Sequence, residues 1–427
     1  MDRQQRTVPV VALLVALGLG APACTSADAV ADGDQPTTTV RPSVDASTTT
    51  ATTAPSVPRV LAFDDADAAA AVLGPEAERL ASTTVTVASP EAATGGGGAP
   101  VTTVGGGGGV DPSAIYRGVL GTLDPEEEVA AAVAAPPVAA PGTHPLTGLA
   151  GDAAPRAALV VKIDNGSSAR PQSGLNRADL VVEEEVEGGI TRLAAVFHSR
   201  STVVGPVRSG RTTDIGIVSG LGGPLLVYSG ANDVTDALLR RMPAVQNRSA
   251  ARSSGYWRDR LRRAPSNLYT DTGPHWASAT GGPPPALFAY GDPPAPTGSA
   301  DGEIILAYQA NRVTWGWDGE RWLRSQGGRD HITDGGERVS ATNVVVIETE
   351  RVATGMVDSS GATVPEFPFV GSGPATVYRD GARVDGRWTR PTLRSVATLT
   401  ATDGTVIELR PGRTWIELVE AGAGIHR

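Results

Sequence analysis

The stretch AALVVKIDNGSSARPQSGLNRADLVVEEEVEGGITRLAAVFH, residues 157–198, decides how the rest of the chain must be arranged. It holds three aliphatic, β-branched runs, at 157–163, 180–187 and 191–198, separated by segments rich in Gly, Ser, Asn and Pro. Runs of that length between turn formers predict strands. A fourth run, 224–229, is preceded by a helical segment at 212–219 and followed by another at 234–242, N-capped by Asn232 or Asp233. The basic segment 256–263 also reads as helical. Strands interleaved with helices predict an α/β-type layered domain over residues 144–290.

Downstream, a proline-rich break at 281–296 separates this domain from residues 301–427, where the pattern changes. Short strands are expected at 303–308, 312–317, 320–325, 343–350, 375–379, 383–390, 395–401, 405–409 and 414–418. Asp318-Gly319, Asp380-Gly381 and Asp403-Gly404 are hairpin signals among them. The second domain is therefore expected to be mostly β, sandwich-like or an open barrel, and the whole chain α+β.

Upstream, the order of parts is that of an exported protein. Arg3 and Arg6 precede an apolar run at 8–19, too short to span a bilayer, which is followed by Ala21-Pro22-Ala23 and Cys24. This resembles a lipobox, which makes residues 1–23 a lipoprotein signal peptide and Cys24 the lipidation site. Ala21 departs from the usual leucine, and an ordinary secretory signal is the alternative. Cys24 is the chain's only cysteine, and an unpaired exported thiol favours modification. Residues 24–143, with Thr runs and Gly tracts, cannot bury enough apolar area to offset backbone entropy and are expected to form a disordered tether.

Charge narrows the partners. The chain carries a formal charge of -10 with a pI near 5.1, so nucleic acid is not expected as a partner. Alternate residues of a strand share a face, which places Glu183, Glu185 and Glu187 together. Such a row needs compensation by cations, protons or a metal ion. Arg170, Arg192, Arg208 and Arg211 are the nearby candidates. Three readings follow: an internal salt-bridge network, a site for an anionic or sugar-like ligand with spare arginines, or a hard-cation site such as calcium. Ser209 and Arg211, after Gly205-Pro206, could cradle an anion. Asp164, Asn165, Arg170, Gln172, Glu183, Glu187, Arg192, Arg208, Ser209 and Arg211 make up the candidate ligand-binding set. Lys162, the only lysine, shares a strand face with Asp164 and is expected to pair with it.

Catalytic and cofactor chemistry find little footing. The five histidines are scattered singly without HExxH spacing, so no metal site is assigned. The glycines lack phosphate-loop spacing, and no cofactor is expected. Ser173 does not sit in GxSxG, and acylation would remove Cys24 from chemistry. His331 and Asp334 read as a surface turn. Trp315, Trp317, Trp322, Trp388 and Trp415 crowd the second domain, as core or as rings facing a sugar or a partner.

Taken jointly, several motifs resemble one family. They are Lys162-Ile163-Asp164-Asn165, Ala169 to Leu175 (ARPQSGL), Glu187 to Arg192 (EGGITR), and Gly205 to Ser209 (GPVRS) with Arg211. His144-Pro145-Leu146-Thr147-Gly148, Ala264 to Tyr269 (APSNLY), Gly386-Arg387-Trp388 and Gly412 to Ile416 (GRTWI) extend the likeness. This pattern is similar to the YerB-like bacterial lipoproteins, a pair of domains of unknown function. The resemblance implies an extracytoplasmic protein, lipid-anchored at the outer face of the cell membrane, and no reaction. A non-enzymatic binder of a cell-wall glycan or peptide, or of an envelope protein, is the leading expectation. The alternatives are an envelope hydrolase or transferase with an Asp/Glu/Arg-lined cleft, and a scaffold that only spaces other components.

Overall fold

A computed structural model describes residues 137–423 and 425–426, apart from 243, 295, 297–302 and 359–360. The expected signal peptide, Cys24 and nearly all of the expected tether lie outside the described residues.

In chain order the first segment contributes β1 (Leu159–Asp164), β2 (Leu180–Glu185), β3 (Thr191–Phe197), β4 (Val203–Val204), α1 (Thr213–Ser219), β5 (Leu225–Tyr228), α2 (Asp233–Arg241), β6 (Gln246–Ser249), β7 (Tyr256–Arg258), β8 (Leu268–Asp271) and α3 (Thr272–Ala277). The second segment opens with β9 (Glu303–Ala307), β10 (Arg312–Trp317), β11 (Trp322–Gln326), β12 (Arg329–Asp330) and β13 (Ser340–Ala341). It continues with β14 (Asn343–Thr349), β15 (Val352–Val357), β16 (Thr363–Glu366), β17 (Gly371–Arg379), β18 (Ala382–Arg390), β19 (Thr398–Ala401), β20 (Thr414–Glu420) and β21 (Ile425–His426). The α+β class predicted from sequence is what forms, with a strand-rich second half.

One ten-stranded sheet joins the two segments, in the order β19-β18-β17-β14-β20-β2-β3-β1-β5-β6. The seam is β20 beside β2, parallel, with Val181 opposite Trp415 and Glu183 opposite Glu417. Both β2 and β20 lie in the interior of the sheet, and layers pack on both of its faces there. That explains why LVVEEE is buried throughout, and TWIELVE at every residue but Glu420, rather than alternating with solvent. On one face Leu180, Val182, Ala194, Val196 and Ile416 pack against α1, α2 and the loop around Phe367 and Phe369. On the other, Val181, Leu193, Ala195 and Trp415 meet Ile304, Leu306, Val313, Trp315 and Trp322. Those last residues belong to a second sheet, β12-β11-β10-β9-β21, to which β13 adds through β11. The second segment's strands thus divide between extending the shared sheet and layering over it.

Local differences from the sequence reading have physical causes. Residues 256–263 are not helical: β7 pairs with β8, Trp257 opposite Tyr269, and a turn follows. The Arg-rich composition favours helix only weakly, and cross-strand packing overrides it. Residues 405–409 make isolated bridges rather than a strand. The strand at 180–187 ends at Glu185, because Gly188 and Gly189 take left-handed φ of 72° and 69° and turn the chain. A Cβ on Gly189 would stand 2.5 Å from the Gln309 Cβ, so the two segments meet there at glycine distance. Trp315, Trp322, Trp388 and Trp415 are core, each at most 1% exposed. Trp317 is partly buried against Trp322.

Candidate functional site

Strands β1, β2, β5 and β20 run the same way, so their carboxyl ends gather at one end of the shared sheet. In open α/β sheets this is the end where ligands bind. Two polar clusters sit there, one on each face.

On the helix-covered face, cross-strand register sets Arg192 opposite both Asp164 and Glu184, with Lys162 two residues along. Lys162 does not pair with Asp164, contrary to expectation. Its Nζ contacts a Glu184 carboxylate oxygen and lies 2.6 Å from Asp214 Oδ1, all three side chains being fully buried. Burial is the main force raising the Glu184 carboxyl above its ordinary value, opposed by Lys162 and reinforced by Asp214. Nearby Glu366 is pushed up to about 8, first by burial, opposed by the neighbouring Thr212 hydroxyl, and further by the charge on Glu184.

Asp164 instead accepts from Ser266 Oγ at 2.9 Å and from the Gly166 amide at 3.1 Å, and has Arg208 Nε at 3.5 Å. Glu187, carried by the turn after β2, departs from the face of Glu183 and Glu185. It meets Arg211, whose Nε and Nη2 reach its two oxygens at 2.6 and 2.7 Å. This fork geometry gives Arg211 a fixed partner. Arg192 has none. It is 4% exposed, donates only to the Ser209 carbonyl at 3.3 Å, and its Nε has no acceptor among the described residues. Burial and then the charge of Arg211 pull its pKa down to about 9, so it stays cationic at neutral pH. Arg208, whose side chain is 29% exposed, lies at the rim, as do Ser209 and Ser229, with hydroxyls 3.4 Å apart. Around Arg192 three guanidinium groups meet the Asp164 and Glu187 carboxylates, and Lys162, Glu184, Asp214 and Glu366 complete the charges of this face.

The opposite face is closed by the second segment. Arg324 donates from one Nη2 to both Glu183 oxygens at 2.8 and 2.7 Å and stacks over Trp415 at 5.1 Å. Its Nη1 contacts His331 Nδ1, and His331 Nε2 donates to Gln172 Oε1 at 2.7 Å. Gln172 then donates to Asn165 Oδ1 at 3.1 Å, and Asn165 to Thr191 at 2.7 Å. His331 is 1% exposed, so the expected surface turn is a buried one, and burial with the neighbouring arginines holds it well below its ordinary pKa. Half-buried Arg170 feels Arg324 and Glu183, its pKa lowered chiefly by burial. Glu185 is taken by Arg351 Nε and the Gln309 amide, both at 3.0 Å. Beside Glu183, Glu417 accepts from Tyr308 at 2.6 Å and Trp315 at 2.8 Å, its carboxyl raised to about 8 by burial and then by Glu183.

The ten predicted residues therefore separate. Asp164, Glu187, Arg192, Arg208, Ser209 and Arg211 gather on the helix side; Asn165, Gln172, Glu183 and Arg170 belong to the interlayer network. The acidic row diverges to three different arginines, which removes the geometric basis for a calcium site. Among the described residues no His/Cys/Asp/Glu group is arranged to hold a metal ion. Glu184, Asp214, Glu366, Arg324 and the buried role of His331 were not anticipated. Only Glu184 carried a local signal, since it alternates with Glu183 along β2.

Both halves of this architecture match one family of paired domains. Residues 146–282 match the N-terminal domain, and 304–416 the C-terminal domain, of a protein of unknown function (DUF3048). Together these matches cover more than half of the chain, which belongs to this YerB-like family. YerB of Bacillus subtilis (strain 168), whose name carries the word lipoprotein, is 28% identical over 297 residues, 64% of this chain and 85% of that protein. The crystal structure of the YerB protein from Bacillus subtilis has the same fold, with a TM-score of 0.55 over 65% of this chain and 96% of that one, at 24% identity.

Proposed function

We propose that the protein is a lipid-anchored envelope protein that binds an anionic group of a cell-wall component or partner at the helix-side cluster. The observation carrying this reading is Arg192: a buried cation with no carboxylate in contact among the described residues, beside a rim arginine, at the carboxyl ends of parallel strands. A buried charge without a partner is costly, and a carboxylate or phosphate would supply the partner. Arg211 is already satisfied by Glu187 and holds that carboxylate away from Arg192. The anchor is supported by the lipobox-like Ala21-Pro22-Ala23-Cys24 and by the lipoprotein name of the relative.

The test is calorimetric titration of the mature chain, carrying Cys24→Ser, with inorganic phosphate and with solubilised cell-wall peptide and glycan fragments. Binding that falls at least tenfold in a folded Arg192→Met variant supports the site. No binding, or binding indifferent to Arg192, overturns it. Turnover of the fragments during titration would replace binding with the hydrolase or transferase reading. Mass spectrometry of the native N-terminus tests the anchor separately, an unmodified Cys24 removing it.

A further inference from the structure

The three-stranded sheet β4-β8-β7 is separate from the two larger sheets and presents an unusual surface. Three of the eight exposed large apolar side chains among the described residues belong to it or its turn: Val203 and Trp257 at 43% and Leu261 at 96%. Register puts Val203 opposite Asp271 and Trp257 opposite Tyr269, so alternation places both on one outer face. Between residues 256 and 263 there are four arginines and one aspartate, in a chain of net charge -10. Arg258 and Arg262 donate to neutral acceptors, the Asn267 side chain and the Ala169 and Pro171 carbonyls, so their charge is not cancelled. Arg260 and Arg263 are exposed, and none of the four makes a salt bridge among the described residues.

From this combination we infer that the β7 turn, with Trp257 and Leu261, docks on an anionic phospholipid surface. The charge complementarity is local, because the acidic whole would be repelled from such a surface. Leucine at a turn tip among arginines is the distinguishing feature. A soluble polyanion offers it nothing, whereas a bilayer offers the acyl boundary for Leu261 and the headgroup layer for the Trp257 ring. The inference does not depend on the Arg192 site.

The experiment is co-sedimentation of the mature chain carrying Cys24→Ser with vesicles of phosphatidylglycerol and phosphatidylcholine in equal amounts, and of phosphatidylcholine alone. Binding is expected only to the anionic vesicles, reduced at least tenfold by Leu261→Asp and by the pair Arg260→Glu and Arg263→Glu. All three positions are exposed, so these variants keep their fold, which circular dichroism checks. Failure to bind anionic vesicles overturns the inference. So does binding lost with the arginines yet kept in Leu261→Asp, which would mark a purely electrostatic polyanion surface. Arg192→Met is expected to leave vesicle binding unchanged, which separates this surface from the ligand site.

Discussion

Glu183 and Arg324 stand 141 residues apart in sequence, yet the guanidinium holds both carboxylate oxygens at 2.7 and 2.8 Å with both side chains fully buried. This contact fastens the second sheet to the shared one and anchors the chain of hydrogen bonds through His331 and Gln172. Removing one partner of a buried pair strands the other in low dielectric. Arg324→Met is therefore expected to cost about 3–5 kcal/mol, measured by chemical denaturation. Adding Glu183→Leu should recover part of that loss, because the uncompensated charge goes too. A double variant as unstable as the sum of the singles would contradict this account.

Arg192 and Arg211 give opposite expectations although both are buried. Arg211→Met leaves Glu187 unpaired and should destabilise the protein by roughly 3 kcal/mol. Arg192→Met removes a guanidinium that no carboxylate contacts, so thermal stability should stay level or rise while anion binding disappears. Thermal melts of the two variants with and without phosphate distinguish the roles. Equal destabilisation would mean that Arg192 is merely structural.

Glu366 makes stability depend on pH. Its folded pKa of about 8 lies above the ordinary 4.5, so the native state holds the proton more tightly. That contribution is complete below about 4.5 and is lost as pH rises through 8. Glu366→Gln keeps a neutral, hydrogen-bonding group there. Its stability relative to the unsubstituted protein should climb between pH 5 and pH 8.5, by denaturation at about five values in that range. A difference independent of pH would show that Glu366 ionises freely.

His331 works in the other direction. Its folded pKa is depressed, so the neutral ring contributes stability above about 6.5 that is lost as pH falls below it. Between Arg324 and Gln172 the ring accepts at Nδ1 and donates at Nε2, and a second proton has no acceptor at Nδ1. His331→Gln should be less stable at pH 7.5 but lose less on acidification to pH 5. Histidine NMR titration should find this ring uncharged where an ordinary one is half protonated.

Much of the fold was legible because the signals were local. LVVKID and LVVEEE carry the continuous apolarity of interior strands, and Asn232 caps α2 as read, accepting from the Thr235 amide at 2.8 Å. The site was legible as a composition of arginines and acids, and not as pairings. Glu187 left its row because two glycines turn the chain, and Glu183 found its partner on β11 rather than among the nearby arginines. Such contacts depend on how two segments stack, which no window of neighbouring residues contains. Residues 256–263 misled for the same reason: their strand exists through Leu268 to Thr270 opposite.

β20, residues 414–420, follows the other nine strands of its sheet in chain order, yet it lies in the interior of that sheet between β14 and β2. A chain delivered from its amino end, by a ribosome or through a membrane pore, therefore brings this central strand after the other nine of the sheet. Until then β2 and β14 wait with open edges and the apolar faces of two half-sheets uncovered. Assembly is in that sense a race between completion and misassociation until β20 arrives. A helper that shields the waiting edges during delivery would have its effect on yield and not on the finished molecule.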